Sequence, residues 1–316
     1  MEAGLRVGMI SGLILGTRGS ALALAQADWV RSRLRKAFPR MEIEVRTIKT
    51  SGDKKTRAPL ARSGTKGLFT KELEEALLRN KIDVAVHSLK DLPTVLPAGL
   101  VLAAAGERED PADVAVFKEG VKVPKVVFTS SPRRAFQARL LWKDAEIREI
   151  RGNIETRLAR LAECEEPTIL LLAAAGLRRL DLWRGKETEG VLAFEPTLHF
   201  RRLTLEEMLP APGQAAIGLE TRAADGETQE KLKSINHSPT FASVLAERSF
   251  LRHMEGGCAT PMAAYAIADL NGLRMRGAVE TKAGIWRGDQ AGERRDAEVV
   301  GKLLAEKCLS FEKGGS

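Results

Sequence analysis

Aromatic residues are scarce in this chain. Phe, Trp and Tyr together make up 5% of its 316 residues, and there is one Tyr. Proteins that bind single-stranded nucleic acid stack bases on aromatic side chains between basic ones, and neither that pattern nor a known DNA- or RNA-binding motif is present. The net charge of +8, from 50 basic and 42 acidic residues, therefore favours a small anionic ligand over nucleic acid.

Cysteine is equally rare. The three cysteines, Cys164, Cys258 and Cys308, are too few and too widely spaced for a disulfide framework or a zinc site, which predicts a reducing compartment and no structural metal. No apolar run approaches the length of a membrane span, and the short stretch 7–15 is broken by glycines and lacks a cleavage-type sequence. We therefore expect a cytoplasmic protein that does not contact membranes.

The length and the 44% hydrophobic content exceed what one core usually organises, and we expect three domains. Up to about residue 180, short apolar strands alternate with amphipathic helices, which predicts βαβ units with a mainly parallel sheet. Predicted strands span 12–16, 43–48, 82–86, 126–129, 147–150 and 168–172. The charged segment 106–111 is interpreted as a hinge, and Ser131 is a predicted N-cap with Pro132 at the first helical position. Beyond Pro210 the pattern changes to the helices 229–236, 240–254 and 297–308 and the strands 263–268 and 273–279, which is typical of a separate α+β domain.

Arginines follow several of these strands. Arg18 follows the first strand, and Arg133-Arg134, Arg151 and Arg178-Arg179 follow three strands of the second unit. The carboxyl ends of parallel strands line the ligand crevice of an open sheet, so these side chains are expected to converge there. The phosphate-binding patterns Gly-x-x-x-x-Gly-Lys-Ser/Thr and Gly-x-Gly-x-x-Gly are absent, so the planar guanidinium groups predict a ligand rich in carboxylates.

Lys90-Asp91 places an acid beside a base at the tip of another buried strand. A lone Asp in such a place more often caps a helix or pairs structurally, but in a crevice of arginines Asp91 is a candidate proton donor or cation stabiliser. The segment 50–67 is polar, basic and rich in glycine, and we interpret it as a mobile loop that could act as a lid, with Phe69 at its end either covering the site or packing in the core.

Cys258 follows Gly256-Gly257 and precedes Pro261, so its sulfur is predicted to be approachable on a turn. The alternative is a small buried apolar residue, which is the usual fate of a free cysteine. A nucleophilic thiol would need a histidine partner, and none of His87, His199, His237 and His253 lies in a recognisable Cys-His signature.

Eight segments in the same order together resemble the porphobilinogen deaminase (hydroxymethylbilane synthase) family, over about Ile14 to Ala268. They are Gly16-Thr17-Arg18-Gly19-Ser20, Lys66–Glu74, His87–Pro93, Ser130–Arg134, Arg151–Arg157, Ala175–Leu180, Pro210–Gln214 and Gly256–Cys258. Two positions depart from the family pattern: Ala215 follows Gln214 where a glycine is expected, and Ala259-Thr260-Pro261-Met262 follows the cysteine where the family often carries a bulkier residue and a Pro-Ile-Gly run.

The resemblance implies a transferase of tetrapyrrole (haem and chlorophyll) biosynthesis. Such an enzyme joins four porphobilinogen molecules head to tail, releases ammonia each time and frees linear hydroxymethylbilane. It carries a dipyrromethane cofactor, built from substrate and held by a thioether to Cys258. The resemblance also implies a monomer.

The same resemblance implies the roles of individual residues. Asp91 is the catalytic acid, which protonates the leaving amine and stabilises the positively charged azafulvene and pyrrole intermediates. The carboxylates of cofactor and substrate are held by a larger set of residues: Arg18, Ser20, Lys90, Thr129, Ser131, Arg133, Arg134, Arg151, Gly152, Arg157 and Arg179.

The fold implied is α/β, with two type II periplasmic-binding-protein-like domains around a cleft and a smaller C-terminal α+β domain. We expect an N-terminal extension at 1–11, domain 1 at 12–107 completed by about 211–233, domain 2 at 112–209, and the C-terminal domain with the cofactor cysteine at 234–316. Two alternatives stay open: a non-catalytic carboxylate-binding protein of the same two-lobed fold, and a thiol hydrolase built on Cys258.

Overall fold

The computed structural model describes residues 12–50, 70–254 and 261–314. Its strands are β1 (Leu13–Thr17), β2 (Ile43–Thr47), β3 (Val84–Ser88), β4 (Leu100–Ala105), β5 (Asp113–Phe117), β6 (Val126–Phe128), β7 (Glu146–Arg148), β8 (Thr168–Ala173), β9 (Glu189–Val191), β10 (His199–Arg202), β11 (Ile217–Arg222), β12 (Met262–Asp269), β13 (Gly272–Thr281) and β14 (Gly284–Gly292). Its α-helices are α1 (Ala21–Ala37), α2 (Lys71–Leu78), α3 (Pro132–Leu141), α4 (Ile154–Glu163), α5 (Ala174–Arg179), α6 (Gly226–Lys233), α7 (Ser238–His253) and α8 (Ala297–Gly314). Outside the described residues lie Cys258, Phe69, the predicted N-terminal extension 1–11 and nearly all of the predicted mobile loop 50–67.

The first sheet has the strand order β2-β1-β3-β11-β4. β1 pairs in parallel with β2 and β3, while β11 runs antiparallel to both β3 and β4. Ser20 begins α1 as its N-cap, where its hydroxyl accepts a hydrogen bond from the Ala23 backbone N–H at 3.3 Å. The helix buries Ala27, Val30 and Leu34 against the sheet, so the first βαβ unit forms where the sequence predicts it.

The second sheet has the order β7-β6-β8-β5-β10-β9. β6 pairs in parallel with β7 and β8, and β5 lies antiparallel between β8 and β10. The chain leaves the first sheet after β4, forms the second sheet from β5 to β10, and returns to the first sheet as β11. This is the type II arrangement of periplasmic binding proteins, and the predicted α/β class is confirmed. The two sheets are mixed and not mainly parallel, since four of the pairings among their described strands are parallel and five are antiparallel.

The third sheet is the antiparallel meander β12-β13-β14, against which α7 and α8 pack. Its core contains Phe250 and Trp286, whose rings stack with centroids 6.4 Å apart, and Cys308. Burial raises the pKa of the Cys308 thiol to about 11, with Glu312 adding to the effect, so this cysteine is an apolar core residue. Gly301 lets the two helices approach closely, since a Cβ at this position would lie 2.1 Å from the Ala246 carbonyl oxygen. The predicted C-terminal α+β unit is therefore confirmed.

Two chain segments cross between the first and second sheets, one after β4 and one before β11. Arg202 at the end of β10 binds Asp110 of the first crossing segment through two hydrogen bonds, at 2.7 and 2.8 Å. Within the described ranges, no helix combines the length and the apolarity needed to cross a membrane.

Candidate active site

The residues predicted to bind or react lie where the strands of the first two sheets end. Arg18 follows β1, and Asp91 closes a short 3-10 turn, Leu89–Asp91, directly after β3. Arg133 and Arg134 lie in the first turn of α3 after β6, Arg151 follows β7, and Arg179 ends α5 after β8. The sheet topology thus brings charged groups from five strand ends to the carboxyl edges of two sheets.

The turn that carries Asp91 is anchored by its backbone and its apolar neighbours. Leu89 and Leu92 are buried, and the Leu89 N–H donates to the Ala216 carbonyl at 3.0 Å, whereas Asp91 is exposed. Gly213 packs against the turn with a φ of +73°, and a Cβ there would lie 3.1 Å from the Lys90 backbone nitrogen. The glycine of the Pro-Ala-Pro-Gly-Gln segment is therefore required for the approach of the two chains.

Lys90 lies half-buried beside Asp91. Burial lowers the pKa of its ammonium group to about 8; the negative charge of Asp91 opposes this change, and the positive charge of Arg134 adds to it. Arg157 responds to the same neighbours: burial and then Arg134 lower its pKa to about 10, against the effect of Asp91. Lys90, Asp91, Arg134 and Arg157 therefore form one electrostatic cluster, which we call the strand-end cluster.

Asp113 is a fully buried carboxylate at the start of β5, beneath this cluster. Its Oδ2 accepts from Arg133 NH1 at 2.5 Å, and its Oδ1 accepts from Arg134 NH2 at 2.8 Å and from Gln214 Nε2 at 3.0 Å. Burial alone would raise its pKa, but the two guanidinium groups outweigh burial and hold the pKa of Asp113 well below its usual range. Asp113 is thus ionised and fixes both arginines.

Arg133 and Arg134 are more constrained than the sequence suggests. Arg133 also donates to the Leu209 carbonyl at 2.8 Å, and Arg134 donates to the Leu171 carbonyl at 3.0 Å. Their exposed fractions are 4% and 7%. Both residues therefore have a structural role, whatever they bind in addition: both join α3 to β5, and Arg133 also reaches the segment before β11 whereas Arg134 reaches β8.

The remaining predicted ligands occupy the rim of the second sheet. Arg151 pairs with Glu149, its Nε lying 2.9 Å from Oε1, and Arg157 Nε donates to the Gly152 carbonyl at 2.8 Å. Gly152 has a φ of +117°, in the region that favours glycine. Arg179 NH2 donates to the Ala215 carbonyl at 2.6 Å, and burial lowers the pKa of Arg179 to about 10, against the charge of Glu109.

Two hydroxyl residues shape the entrance to α3. The Thr129 hydroxyl accepts from the Ser131 N–H at 3.1 Å, and Ser131 is the N-cap of α3, as predicted, with its hydroxyl accepting from the Arg134 N–H at 3.4 Å.

Arg178, which the sequence groups with Arg179, instead stacks its guanidinium on the Trp183 ring at 4.1 Å.

The histidines are engaged in packing and capping. His87 Nε2 lies 2.9 Å from Oε2 of the buried Glu220, and the His237 side chain caps α7. His253 Nδ1 lies 2.8 Å from the Ser249 carbonyl, and His199 stacks on Phe117. These contacts lend no support to a thiol hydrolase.

Sequence reasoning did not find Asp113, which lies just beyond a charged segment interpreted as a hinge, or Arg248, which lies inside a helix. Arg248 of α7 donates to the carbonyls of Leu92 and Pro93, directly after Asp91. No local pattern marks either residue, because the partners that define them are distant in the chain.

Charge balance tests whether these residues fit an acidic cofactor. Lys90, Arg133, Arg134 and Arg157 place four cations around two carboxylates, Asp91 and Asp113. The lowered pKa values of Lys90 and Arg157 mean that burial disfavours their charges, and a ligand with several carboxylates would compensate them. The residues present fit a dipyrromethane with acidic side chains.

Two family models match the chain. The model described as "Porphobilinogen deaminase, dipyromethane cofactor binding domain" matches residues 13–230, and "Porphobilinogen deaminase, C-terminal domain" matches residues 241–310. Among solved structures, the Bordetella pertussis BvgS periplasmic VFT2 domain aligns with a TM-score of 0.40 and 12% identity, over 71% of this chain and 86% of that chain.

Curated relatives are similar in sequence to this chain along nearly its full length. The porphobilinogen deaminase of Moorella thermoacetica is 46% identical over 307 residues, which cover 95% of this chain and 94% of the relative. That of a Nostoc species is 44% identical over 302 residues, with 92% and 89% covered. The chain therefore belongs to the porphobilinogen deaminase family.

Proposed function

We propose that Asp91 is the catalytic acid of a porphobilinogen deaminase reaction in this chain. The observation that carries the proposal is the strand-end cluster: an exposed carboxylate on a firmly anchored turn, next to cations that favour acidic ligands. The chain is a transferase that condenses four porphobilinogen molecules head to tail into linear hydroxymethylbilane. The bound dipyrromethane supplies the free pyrrole end to which substrate units are added.

In each condensation the C–N bond of the substrate's aminomethyl group breaks and the nitrogen leaves as ammonia. A C–C bond to the growing chain would take its place, and the proton lost from the terminal pyrrole carbon would return to the Asp91 carboxylate. Asp91 protonates the leaving amine and, as a carboxylate, lowers the energy of the positive charge that develops on the pyrrole. No histidine partner is needed for this, because the interaction is directly electrostatic.

Cys258 is proposed as the thioether anchor of the cofactor. The carboxylates of cofactor and substrate are proposed to be held by Arg18, Ser20, Lys90, Thr129, Ser131, Arg133, Arg134, Arg151, Gly152, Arg157 and Arg179. The hydrogen bonds of Arg133 and Arg134 to Asp113 support a double role, since Asp113 presents two guanidinium groups in a fixed orientation toward the strand ends. Phe69 is proposed as a cover of the site.

We further propose that the protein is a cytoplasmic monomer that does not bind nucleic acid. The proposed domain limits are 12–107 with about 211–233, 112–209 and 234–316. The grouping of β11 with the first sheet supports the return of the chain to domain 1.

The decisive experiment combines intact-protein mass with turnover. The purified chain is expected to exceed its sequence mass by one dipyrromethane unit, and Cys258→Ala should lack this increment and be inactive while remaining folded. Asp91→Asn should retain the increment and lose nearly all porphobilinogen turnover. A bare-chain mass together with unchanged porphobilinogen affinity in Cys258→Ala would favour the non-catalytic carboxylate-binding protein instead.

A further inference from the structure

Arg248 reaches from the C-terminal unit to the segment that follows the proposed catalytic acid. Its side chain extends from α7, where the residue is 6% exposed. NH1 donates to the Leu92 carbonyl at 3.0 Å and NH2 donates to the Pro93 carbonyl at 2.6 Å. Leu92 and Pro93 directly follow Asp91, so one guanidinium group holds the carbonyls of the two residues after the proposed catalytic acid.

The geometry requires a guanidinium. Two nitrogens of the planar guanidinium donate to two consecutive carbonyls at once, whereas lysine has a single nitrogen at the end of its side chain. Within the described residues, no carboxylate lies within 4.0 Å of the Arg248 guanidinium nitrogens. Burial lowers the pKa of Arg248 to about 10, with Arg252 adding to the effect and Glu220 and Glu298 opposing it.

Burying a cation is costly, and the hydrogen bonds to two backbone carbonyls offset part of that cost. The position of these two hydrogen bonds in the fold indicates their role. On one side of the 3-10 turn, Leu89 is bound to Ala216. On the other side, Leu92 packs in a cluster with Val244, one turn before Arg248 in α7, and its carbonyl is held by Arg248.

We propose that Arg248 is a positioning residue that fixes the backbone on the C-terminal side of Asp91 and thereby orients its carboxylate toward the reacting pyrrole. The inference rests on the proposed catalytic role of Asp91. It makes the C-terminal unit a direct support of the catalytic turn in addition to the carrier of Cys258. Misplacement by about 1 Å costs on the order of 100-fold in turnover when the acid must meet a reacting atom, so a loosened turn should be visible in kcat.

The test compares Arg248→Lys and Arg248→Ala with the control Arg252→Ala. Arg252 lies one turn further along the same helix, is partly exposed and binds Glu298 at 2.7 Å, so its loss perturbs α7 without touching the catalytic turn. Both Arg248 variants are expected to keep the dipyrromethane mass increment and a KM for porphobilinogen within about twofold, while kcat falls by about 10- to 100-fold. The control should keep kcat.

A second readout separates positioning from general stability. Added guanidinium ion at tens of millimolar is expected to restore part of kcat in Arg248→Ala with no change in its thermal midpoint, and to do nothing for Asp91→Asn. Arg248→Lys retains the positive charge and most of the aliphatic side chain, so it tests the positioning role even if Arg248→Ala does not fold.

Each outcome is decisive. Near-normal kcat in Arg248→Lys, or a loss of activity that only follows a loss of the mass increment, would overturn the positioning role. Full activity in Asp91→Asn would instead refute the proposed function on which the inference rests. Loss of kcat with cofactor content and KM preserved supports the inference.

Discussion

The guanidinium of Arg108 and the carboxylate of Glu247 are joined by two hydrogen bonds, NH1 to Oε1 at 2.6 Å and NH2 to Oε2 at 3.1 Å, and both side chains are buried. Arg108 lies in the segment that leaves the first sheet, and Glu247 lies in α7. Glu247 also accepts from the backbone N–H groups of Gly213 and Ala266, at 2.6 and 2.8 Å. One carboxylate therefore ties both crossing segments to the C-terminal unit.

Breaking this pair is expected to destabilise the protein strongly. Arg108→Ala leaves the Glu247 carboxylate buried without its cation, which should cost about 3–5 kcal/mol of unfolding free energy, and Glu247→Ala should cost more because it also orphans two backbone N–H groups. Urea unfolding followed by circular dichroism measures both. The matched control is Arg139→Ala, which breaks a partly exposed pair with Glu280 and should cost no more than about 1 kcal/mol. Equal losses of unfolding free energy in Arg108→Ala and Arg139→Ala would contradict the prediction.

Ala215 has a φ of +71°, a region that favours glycine, at the position where the sequence departs from the family's glycine. Ala215→Gly should therefore stabilise the chain by up to about 1 kcal/mol, because relief of backbone strain exceeds the added entropy of the unfolded state. Its neighbour Ala216 does not share the positive φ, so Ala216→Gly should destabilise by a similar amount. Thermal midpoints of the two variants check the sign of each effect.

Arg133 and Arg151 should respond differently to removal of their charge. Arg133→Leu takes one of two cations from the buried Asp113 and removes the bond to Leu209, so it should cost about 3 kcal/mol of stability as well as activity. Arg151 pairs with an exposed Glu149, and Arg151→Leu should lower turnover with the thermal midpoint almost unchanged. A comparable drop in midpoint for both variants would show that Asp113 does not hold Arg133 as described.

Local sequence signals predicted those elements whose residues agree with their environment. β8, a Thr-Ile-Leu-Leu-Leu-Ala run, and the N-cap Ser131 followed by Pro132 were recognisable because propensity and burial point the same way. β4 and β11 were missed, since Ala, Gly and Glu are poor strand formers. They become strands by pairing: β11 takes its place between β3 and β4, where Glu220 is buried against His87.

The same distinction applies to the site. Asp91 and the arginines could be predicted because each follows a strand, and strand ends of parallel sheets converge whatever the details of packing. Asp113 and Arg248 could not, because the first is defined by arginines 20 and 21 residues away and the second by a carbonyl 156 residues away. The Asp113 contacts form once β5 and α3 pack in the second unit, and the Arg248 contacts form once α7 packs on the segment after β3.

Lys90 should give the cofactor-free protein a measurable dependence of stability on pH. Its pKa is lowered by burial from 10.5 to about 8, so between these values the unfolded chain binds more protons than the folded one and stability rises with pH. The cost of the buried charge is fully present below pH 8 and is relieved toward pH 10. In a Cys258→Ala background, Lys90→Met should therefore raise the thermal midpoint at pH 7, and the difference should shrink as pH approaches 10.

The bound cofactor should reverse the effect of Lys90→Met on the thermal midpoint at pH 7. Carboxylates brought beside Lys90 would compensate its charge, so in the chain that carries dipyrromethane Lys90→Met should lower the midpoint at pH 7. Differential scanning fluorimetry from pH 7 to 10 on both backgrounds provides the measurement. Lys233→Met serves as the control, since Lys233 is 70% exposed and should show no such reversal. Stabilisation by Lys90→Met with and without the cofactor would show that Lys90 does not bind its carboxylates.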